Sequence, residues 1–270
     1  MSERFTVFGA DGFIGRRLAE ELERTNCSVF RPPRDWNAES QDDDLGHVIY
    51  CIGVTGSDFH REQFNVVEGH VSLMAKALEH CSFSSFTYLS TTRTFARSQF
   101  GELGRRDFLV DPLDPSDFYN LSKLLGEALV LNCGKPRARV VRLSYVVDFA
   151  PDSTDEVSRL IRAAQQGSVV FNSHPETMKN YVLIRDVISV LPNIAVSGQQ
   201  RVYEIGGGVN VSMHQIGDVL MRVMGCEVSY ERGAGKRSMG VVDIRALQQE
   251  FDFLPTPLLD YLDEVAKKHS

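Results

Sequence analysis

The sequence predicts an α/β protein with a Rossmann-type, doubly wound parallel sheet and a small C-terminal lobe. Short apolar runs alternate with segments of helical periodicity through the first 150 residues, which is typical of a parallel sheet flanked by helices. A glycine-rich turn lies between the first run and the first helix, and the regular alternation loosens after Pro151. We therefore expect a sheet domain over residues 1–150 and a smaller lobe over residues 151–270, partly interleaved with the sheet.

The alternation in the sheet domain predicts five strands and three helices. Apolar and β-branched runs predict strands at residues 4–9, 27–30, 47–52, 86–90 and 138–147. Apolar residues at helical spacing predict helices at residues 13–24, 62–80 and 119–132. Residues 96–118 lack periodicity and contain two prolines, so we expect a loop over a site there.

The second and third of these helices carry distinct apolar faces. In the helix at 62–80 the inward residues are predicted to be Phe64, Val67, Val71, Met74 and Leu78. In the helix at 119–132 the apolar stripe consists of Leu121, Leu124, Leu125, Ala128 and Leu129. Such a face is either core or an interface.

The pattern after residue 151 predicts shorter elements. We expect helices at 155–166, from Asp186 onward and at 213–224, with strands at 169–171, 181–184 and 202–205. Ser212 is well placed to cap the last of these helices at its amino end.

Composition excludes several classes of protein. The chain has 270 residues and a net charge of −7, which argues against a nucleic-acid partner because phosphate backbones select basic faces. No apolar stretch approaches the ~18 residues of a membrane span, and no signal-peptide core is visible. The five cysteines are scattered without a CxxC pair, so we expect neither disulfides nor a metal site, but reduced thiols in the cytoplasm.

The glycine-rich turn has the spacing of a phosphate-binding motif. Gly9, Gly12 and Gly15 follow a strand and open a helix. The first permits the tight turn, the second lets the backbone approach a pyrophosphate, and the third lets helix and strand pack closely. The free N–H groups of the helix then face the phosphates. The alternative is a purely structural glycine turn, but this position between strand and helix favours dinucleotide binding.

Two arginines after the second strand bear on the choice of cofactor. An acid at this position binds the ribose 2′-hydroxyl of NAD, whereas an arginine accommodates the 2′-phosphate of NADP. Arg31 and Arg34 occupy it here and favour NADP. Asp35 is close enough to this position that NAD is also possible as the cofactor. Each arginine taken singly is nearly as consistent with a solvated surface residue.

A tyrosine and a lysine one helical turn apart form a candidate acid–base pair. Tyr119 and Lys123 lie at i and i+4, on one face of a helix. A nearby cation stabilises the phenolate and lowers the pKa of a phenol from its free value near ~10. Such a phenol can exchange a proton with a substrate oxygen while hydride moves to or from the cofactor. The pair alone also fits an ordinary amphipathic helix.

A hydroxyl at a strand end strengthens this interpretation. Ser90, Thr91 and Thr92 end the predicted strand at 86–90, and ligands of parallel sheets bind at the carboxyl ends of strands. A threonine there can orient a reacting oxygen toward Tyr119. The alternative is a strand-end hydroxyl that caps a turn.

In order and spacing these motifs resemble the extended short-chain dehydrogenase/reductase family, which includes nucleotide-sugar epimerases, dehydratases and reductases. The resemblance runs along nearly the whole chain. Its segments are GADGFIG at 9–15, HVIYCIG at 47–53, NVVEG at 65–69, YLSTTRTF at 88–95, YNLSKLLGE at 119–127, VVRLSYVV at 140–147, YVLIRDV at 181–187 and YEIGGG at 203–208.

The resemblance implies roles for individual residues. Thr91 matches the catalytic hydroxyl, with Thr92 as the alternative, and Tyr119 and Lys123 match the acid–base and its partner. Thr92 and Arg93 are expected to touch substrate. The residues expected to bind NAD(P), in the domain 1–150, are Gly9, Asp11, Gly12, Phe13, Ile14, Gly15, Arg31, Arg34, Cys51, Ile52, Gly53, Asn65, Tyr119 and Lys123.

Departures from the family pattern narrow the expected chemistry. Dehydratases carry an Asp-Glu pair after the threonine, where this chain has Thr92 and Arg93, so dehydration is disfavoured. Members that epimerise at two carbons place a cysteine or histidine near the catalytic hydroxyl, for which Cys51 is the residue to check in space. The resemblance thus implies an NADP- or NAD-dependent 4-keto reductase or 4-epimerase acting on a nucleotide-linked sugar, with the lobe at 151–270 binding substrate.

Two other functions stay open. The small C-terminal lobe also suits a reductase of a non-nucleotide carbonyl compound. A cofactor-binding sensor without turnover is the third hypothesis, although such relatives usually lose the tyrosine or the lysine. The apolar faces of the helices at 62–80 and 119–132 are either core or the four-helix contact of a homodimer that this family often uses.

Overall fold

A six-stranded sheet organises the fold, as seen in a computed structural model that describes residues 3–38, 44–53, 63–100, 106–150, 152–236, 239–240 and 242–269. The strands are β1 (Arg4–Phe8), β2 (Ser28–Phe30), β3 (His47–Tyr50), β4 (Ser85–Thr91), β5 (Ser98–Phe100), β6 (Arg106–Phe108), β7 (Ala138–Leu143), β8 (Tyr145–Val147), β9 (Ser168–Phe171), β10 (Met178–Leu183), β11 (Val202–Ile205), β12 (Asn210–Ser212) and β13 (Glu227–Tyr230). The helices are α1 (Phe13–Arg24), α2 (Gln63–Val67), α3 (Leu73–His80), α4 (Asp117–Asn132), α5 (Glu156–Gln165), α6 (Ile184–Ser197), α7 (Met213–Met224), α8 (Arg245–Phe251) and α9 (Leu258–His269).

The strand order of the large sheet is β11-β7-β4-β3-β1-β2. Strand β1 pairs in parallel with both β2 and β3, and β3 pairs in parallel with β4. The chain therefore winds outward from β1 to β2 and then returns to β3 on the other side of β1. This reversal confirms the predicted doubly wound α/β fold and creates a crevice at the carboxyl ends of β1 and β3, where such sheets bind ligands.

The central strands are buried because helices cover the sheet. All four residues of β3 and the first six of β4 are buried, as expected for parallel strands packed on both faces. Aromatic side chains fill much of this core, and rings of Phe8, Tyr50, Phe86 and Tyr88 lie 5.3–6.1 Å apart along it. These contacts hold the strand ends in place.

The chain divides into two units, each with its own core. One comprises residues 1–142 and 188–203, and the other residues 143–187 and 204–270. The first contains most of the large sheet. Its edge is tied to α6 by the buried guanidinium of Arg139, which donates to the carbonyl oxygens of Ile194, Ala195 and Gly198 at 3.0, 3.1 and 2.5 Å. These bonds satisfy carbonyls that the helix end would otherwise leave unpaired.

The helical segment at 63–80 contains a π-helical turn that the sequence pattern missed. This turn spans Glu68–Ser72 and separates α2 from α3. Beyond it Met74 and Leu78 are buried as predicted, but Phe64 is 91% exposed, and Val67 is also exposed. The prediction that these two face inward is wrong, because a π turn adds one residue and rotates the preceding helix, so that Val66 and His70 point inward instead.

Helix α4 buries its polar face rather than its apolar stripe. Asn120, Lys123 and Glu127 are buried, whereas Leu125 is 52% exposed. Gly126 makes this packing close, since a Cβ on it would lie 2.5 Å from the Tyr88 hydroxyl oxygen. Ala128 is exposed as well, while Leu121, Leu124 and Leu129 are half-buried, so the predicted apolar stripe is not the most buried face of this helix.

Part of the segment predicted as a loop is ordered into secondary structure. A 3-10 turn spans Thr92–Arg97, and β5 pairs with β6 in an antiparallel ribbon. The intervening residues 101–105 lie outside the described part of the chain. The prediction of a loop over 96–118 is wrong at these two strands and at the first two residues of α4, because sequences as short as SQF and RDF carry no periodicity that would reveal their pairing.

The second unit is built on smaller sheets. Strand β10 pairs in parallel with β8 and antiparallel with β12, and β9 pairs in parallel with β13. The predicted strand at 138–147 divides at Ser144 into β7 and β8, which belong to different sheets. Helix α7 begins with the predicted Ser212 cap, in a capping box with Gln215. Within the described residues, no helix is long and apolar enough to cross a membrane.

Candidate active site

The turn after β1 forms a tight backbone cradle. Gly9 has φ of 74°, a conformation that favours glycine, and its carbonyl oxygen accepts from the Gly12 N–H at 2.9 Å. A Cβ on Gly9 would lie 3.0 Å from the backbone nitrogen of Ile52. The turn therefore needs a residue without a side chain where the ends of β1 and β3 meet.

Gly15 is equally constrained. A Cβ there would overlap the Gly9 carbonyl oxygen and lie 2.8 Å from the Gly9 carbonyl carbon. Helix α1 thus packs against the turn that precedes it, which is the close helix–strand packing the third glycine of the motif permits.

The amino end of α1 suits a pyrophosphate. Its N-cap is Gly12, which offers no side-chain cap, so the first N–H groups of the helix are left to an external acceptor. Asp11 is exposed at the turn, and Phe13 and Ile14 are partly exposed. The glycines leave backbone donors open to a phosphate group, and on this ground the residues fit the dinucleotide expected from the sequence.

The segment after β3 connects this cradle to α4. The Cys51 N–H donates to the Phe8 carbonyl oxygen at 2.9 Å. Two residues later, a Cβ on Gly53 would lie 3.2 Å from Nε2 of His70 and 3.4 Å from Nζ of Lys123. Burial raises the pKa of the Cys51 thiol to about 12, so this cysteine stays protonated and does not provide a base.

Lys123 is deeply buried beside the ends of β3 and β4. Its side chain is 4% exposed, and Nζ donates to the Leu89 carbonyl oxygen at 3.0 Å. Nζ also lies 4.9 Å from the centre of the Tyr88 ring, a cation–π distance. Burial lowers the pKa of the amine to about 7. Its charge state therefore changes near neutral pH.

His70 is the residue of this cluster that sequence reasoning missed. It is 0% exposed, its Nδ1 lies 2.9 Å from Ser122 Oγ, and its ring meets that of Tyr119 edge to face at 5.4 Å. Burial and the nearby Lys123 charge lower the pKa of His70 to about 2. The only available signal was a histidine directly after the NVVEG segment, within a helix whose register the π turn changes.

Thr91 is the last residue of β4, and Arg93, in the turn that follows, lies near Tyr119. Thr91 Oγ1 accepts from the Arg93 N–H at 3.0 Å, which leaves the hydroxyl proton available for another acceptor. The Arg93 guanidinium carbon lies 5.5 Å from the centre of the Tyr119 ring, and Nη2 donates to the Ser116 carbonyl oxygen at 3.4 Å. Thr92, by contrast, is fully buried.

A buried ion pair supports the cluster from behind. Glu127, 3% exposed, accepts three hydrogen bonds from the Arg142 guanidinium, of which the shortest is 2.6 Å from Nη2 to Oε2. Ser90 Oγ donates to Glu127 Oε1 at 2.6 Å. Arg142 also lies over the rings of Phe95 and Phe108 at 5.8 and 5.0 Å. This network joins α4, β4 and β7 and fixes the strand end that carries Thr91.

The remaining predicted residues lie on the surface. Arg31 follows β2 and makes a bidentate pair with Glu23 of α1, with Nε–Oε1 and Nη2–Oε2 distances of 3.1 and 2.8 Å. Arg34 is exposed, and so is Asn65 on α2. Among the residues that the structure describes, no group of three or more His, Cys, Asp or Glu side chains is placed to hold a metal ion.

Comparisons with known proteins extend these observations. The model of the NAD dependent epimerase/dehydratase family matches residues 5–206, and a search of curated proteins finds no significant match. Similar solved structures include MoeE5 in complex with UDP-glucose and NAD, with 22% identity over 98% of both chains and a TM-score of 0.76. RMD from Pseudomonas aeruginosa, complexed with NADPH, has 17% identity over 99% of both chains and a TM-score of 0.77.

A third similar structure is the UDP-glucose 4-epimerase of Thermotoga maritima with UDP-glucose. It shares 17% identity over 98% of this chain and 97% of its own, with a TM-score of 0.75. At these identities, the likeness to all three structures shows a common fold.

Proposed function

Because the chain belongs to the NAD-dependent epimerase/dehydratase family, we propose that it is a hydride-transfer enzyme acting on a nucleotide-linked sugar, by 4-keto reduction or 4-epimerisation. The family match confirms both the resemblance drawn from the sequence and the expectation of an enzyme. The observation that carries the specific proposal is the buried Lys123, one helical turn from Tyr119 and beside the crevice at the carboxyl ends of β1, β3 and β4.

The proposed roles follow from the chemistry of each group. Tyr119 gives a proton to, or takes it from, the sugar oxygen, and the Lys123 ammonium stabilises the phenolate. Thr91 donates its hydroxyl proton to the same oxygen, and its partial exposure favours it over the buried Thr92. The nicotinamide, when bound, supplies or accepts the hydride.

We also propose where the cofactor and substrate are held. The cradle of Gly9, Gly12 and Gly15 holds the pyrophosphate on the amino end of α1. Residues 51–53 and Asn65 line the rest of the cofactor site. Arg93, a planar cation near Tyr119, holds polar or anionic groups of the substrate.

The choice between NADP and NAD rests on the end of β2. Arg31 and Arg34 favour NADP, but the Arg31 guanidinium is already engaged by Glu23. A 2′-phosphate must compete with this carboxylate, so both cofactors remain part of the proposal. Of the structures similar to this chain, MoeE5 holds NAD and RMD holds NADPH.

Turnover by matched variants tests the proposal. The protein is first screened by thermal shift against UDP, dTDP, GDP and CDP, and then assayed with the matching sugars and keto-sugars. Tyr119→Phe is expected to lower kcat by about 10²–10⁴-fold while cofactor affinity, measured by fluorescence titration, stays within twofold. A reductase consumes NAD(P)H in step with keto-sugar, whereas an epimerase interconverts sugars without net consumption.

Two outcomes would overturn the proposal. Unchanged turnover in Tyr119→Phe would remove the acid–base assignment and favour a different centre. Absence of stabilisation by any nucleotide, together with reduction of a simple carbonyl compound, would favour the non-nucleotide reductase.

We further propose that the protein forms a homodimer through α2 and α4, in the cytoplasm. Phe64, Val67 and Leu125 expose apolar side chains on these two helices, and such residues are disfavoured on a monomer surface when they form a patch. Light scattering is expected to give twice the chain mass, and Phe64→Asp with Leu125→Asp to give the monomer. A monomeric wild type would contradict this.

A further inference from the structure

The π-helical turn Glu68–Ser72 changes the hydrogen bonding of its helical segment at one identifiable bond. The N–H of Leu73 donates to the carbonyl oxygen of Glu68, five residues back, whereas an α-helix would direct it to Gly69, four residues back. The Gly69 carbonyl oxygen therefore loses the donor that a regular helix supplies. An unpaired carbonyl that is partly shielded from water is costly, so the turn needs another donor at this oxygen.

That donor is the hydroxyl of Tyr50, the last residue of β3. It donates to the Gly69 carbonyl oxygen at 2.7 Å. The Tyr50 side chain is fully buried, and burial raises the pKa of its phenol, so the hydroxyl keeps the proton that it donates. A buried tyrosine hydroxyl usually has a hydrogen-bond partner, and here the π turn provides it.

A second tyrosine binds the next carbonyl of the turn. The hydroxyl of Tyr88, on β4, donates to the His70 carbonyl oxygen at 3.3 Å, which is a longer and weaker bond. Helix α4 packs closely against this contact, because a Cβ on Gly126 would lie 2.5 Å from the Tyr88 hydroxyl oxygen and 2.9 Å from the His70 carbonyl oxygen. Two neighbouring strands of the sheet thus hold two successive carbonyls of the turn.

The turn lies against the proposed acid–base and cofactor residues. It carries His70, whose buried ring meets the Tyr119 ring edge to face at 5.4 Å and whose Nδ1 lies 2.9 Å from Ser122 Oγ. A Cβ on Gly69 would lie 2.9 Å from Cγ2 of Ile52, in the segment assigned to the cofactor. A change in the register of the turn would therefore move the surface against which the Tyr119 ring packs.

We propose that Tyr50 is a positioning residue, whose hydroxyl holds the π turn through the Gly69 carbonyl oxygen and so fixes the contact between His70 and the Tyr119 ring. Without this hydroxyl, an α-helical bond from the Leu73 N–H is the way to pair the Gly69 carbonyl, and the residues before the turn move by one position. The inference rests on the proposed function only in that Tyr119 is the acid–base.

The hydrogen bond of the Leu73 N–H distinguishes the two arrangements. In the deuterated, ¹³C,¹⁵N-labelled protein without cofactor, NMR detects the coupling across this bond between the Leu73 nitrogen and one carbonyl carbon. In the wild type this carbon is expected to be that of Glu68. In Tyr50→Phe, which removes one oxygen and retains the ring, the coupling is expected to move to the carbonyl carbon of Gly69.

The consequence for the site is measured on the two rings and on turnover. The nuclear Overhauser effect between the rings of His70 and Tyr119 is expected in the wild type and is expected to be lost in Tyr50→Phe. The kcat of this variant is expected to fall about tenfold, because small displacements beside a reacting group are costly. Its dinucleotide affinity is expected to stay close to that of the wild type, since the glycine cradle is unchanged.

A third buried tyrosine provides the matched control. The hydroxyl oxygen of Tyr203, in the same unit, accepts from the N–H groups of Gln199 and Gln200 at 2.7 and 2.9 Å. Tyr203→Phe removes these bonds without touching the π turn, so the Leu73 coupling, the ring contact and kcat are expected to equal those of the wild type. Equal changes in Tyr203→Phe and Tyr50→Phe would mean a general loss of stability and would overturn the proposal.

The wild type offers a test that does not depend on the folding of a variant. The hydroxyl proton of Tyr50 is expected to exchange slowly enough with water to be observed at pH 7, with a nuclear Overhauser effect to Gly69. A hydroxyl proton that exchanges too fast to be observed, or a wild-type coupling from Leu73 to Gly69, would overturn the proposal.

The variant can overturn the proposal in two further ways. A coupling that stays at Glu68 in Tyr50→Phe would mean that the hydroxyl does not hold the turn. A coupling that moves while kcat is unchanged would mean that the turn does not position the acid–base. Unchanged turnover in Tyr119→Phe would instead refute the proposed function and leave the NMR results valid.

Discussion

Burial of Lys123 makes the folding stability of this protein depend on pH. Burial lowers the pKa of its amine from 10.5 to about 7, while the unfolded chain retains the ordinary value. Between these two pH values the unfolded state binds a proton that the folded state has released, so the free energy of unfolding rises with pH. Below pH 7 the folded state holds a buried charge, and above pH 10.5 this penalty is gone.

The size of the effect follows from the shift. The full displacement corresponds to about 5 kcal/mol, of which about 2–3 kcal/mol falls between pH 6 and pH 9. Lys123→Met retains an unbranched side chain but removes the amine. The variant is therefore expected to gain most relative to the wild type at pH 6, and its advantage should shrink by about 2–3 kcal/mol at pH 9.

Urea unfolding at pH 6, 7, 8 and 9 measures this difference. Other groups titrate in the same range, but they are common to both proteins and cancel in the comparison. Lys76→Met, at an exposed position of α3, is the matched control and is expected to run parallel to the wild type. Parallel pH profiles of Lys123→Met and wild type would refute the reasoning, because they would mean that the amine keeps its ordinary pKa.

Three further predictions address the cradle, the ion pair and the cofactor. Gly15→Ala forces α1 away from the turn and is expected to weaken dinucleotide binding at least tenfold in fluorescence titrations; unchanged affinity would contradict the assigned cradle. Arg142→Met leaves the Glu127 carboxylate buried without its cation and is expected to lower the free energy of unfolding by about 3–5 kcal/mol, whereas a loss below 1 kcal/mol would mean that water reaches it. Glu23→Gln releases Arg31 from its ion pair and is expected to raise the affinity for NADPH relative to NADH severalfold. An unchanged ratio of the two affinities would mean that Arg31 does not bind the 2′-phosphate.

The elements of the sheet were predictable because their periodicity is local. Strand β3 is a short, mostly apolar run, β4 is rich in aromatic and β-branched residues, and a glycine turn marks the start of α1. The amino end of α7 was predictable for a similar reason, since Ser212 caps the backbone three residues ahead. The division of the strand at 138–147 was not, because its two halves share one apolar pattern but join different sheets.

The orientation of α2 and α4 was not predictable from hydrophobicity. A sequence pattern with a period of 3.6 residues does not reveal a π turn. The inward and outward faces predicted for the residues before the turn were therefore wrong by about one position. Helix α4 contains several leucines, so hydrophobicity alone predicts that the leucine face is the inward one. Only the tertiary structure reveals that Lys123 and Glu127 are buried. Helices normally turn their apolar faces inward. Functional sites depart from this rule, because their chemistry requires buried polar groups.

The residues that carry the proposed chemistry were found by spacing, whereas their partners were not. Tyr119 and Lys123 stand one helical turn apart in the sequence itself. His70 and Ser122 are separated by 52 positions, and no local pattern links them. The same applies to Arg142, whose pairing with Glu127 depends on how β7 meets α4.

The interleaving of the two units has a consequence for biogenesis. A ribosome delivers residues 1–142 first, but α6 and β11 of the same unit emerge only after the chain has entered the second unit at residue 143. Until then the Arg139 guanidinium lacks the carbonyls of residues 194, 195 and 198 that it later binds, and β7, which pairs with β4 on one side, forms the open edge of the sheet. The nascent sheet therefore has an exposed edge strand while about sixty further residues are synthesised. Exposed strand edges of this kind favour misassembly with other chains.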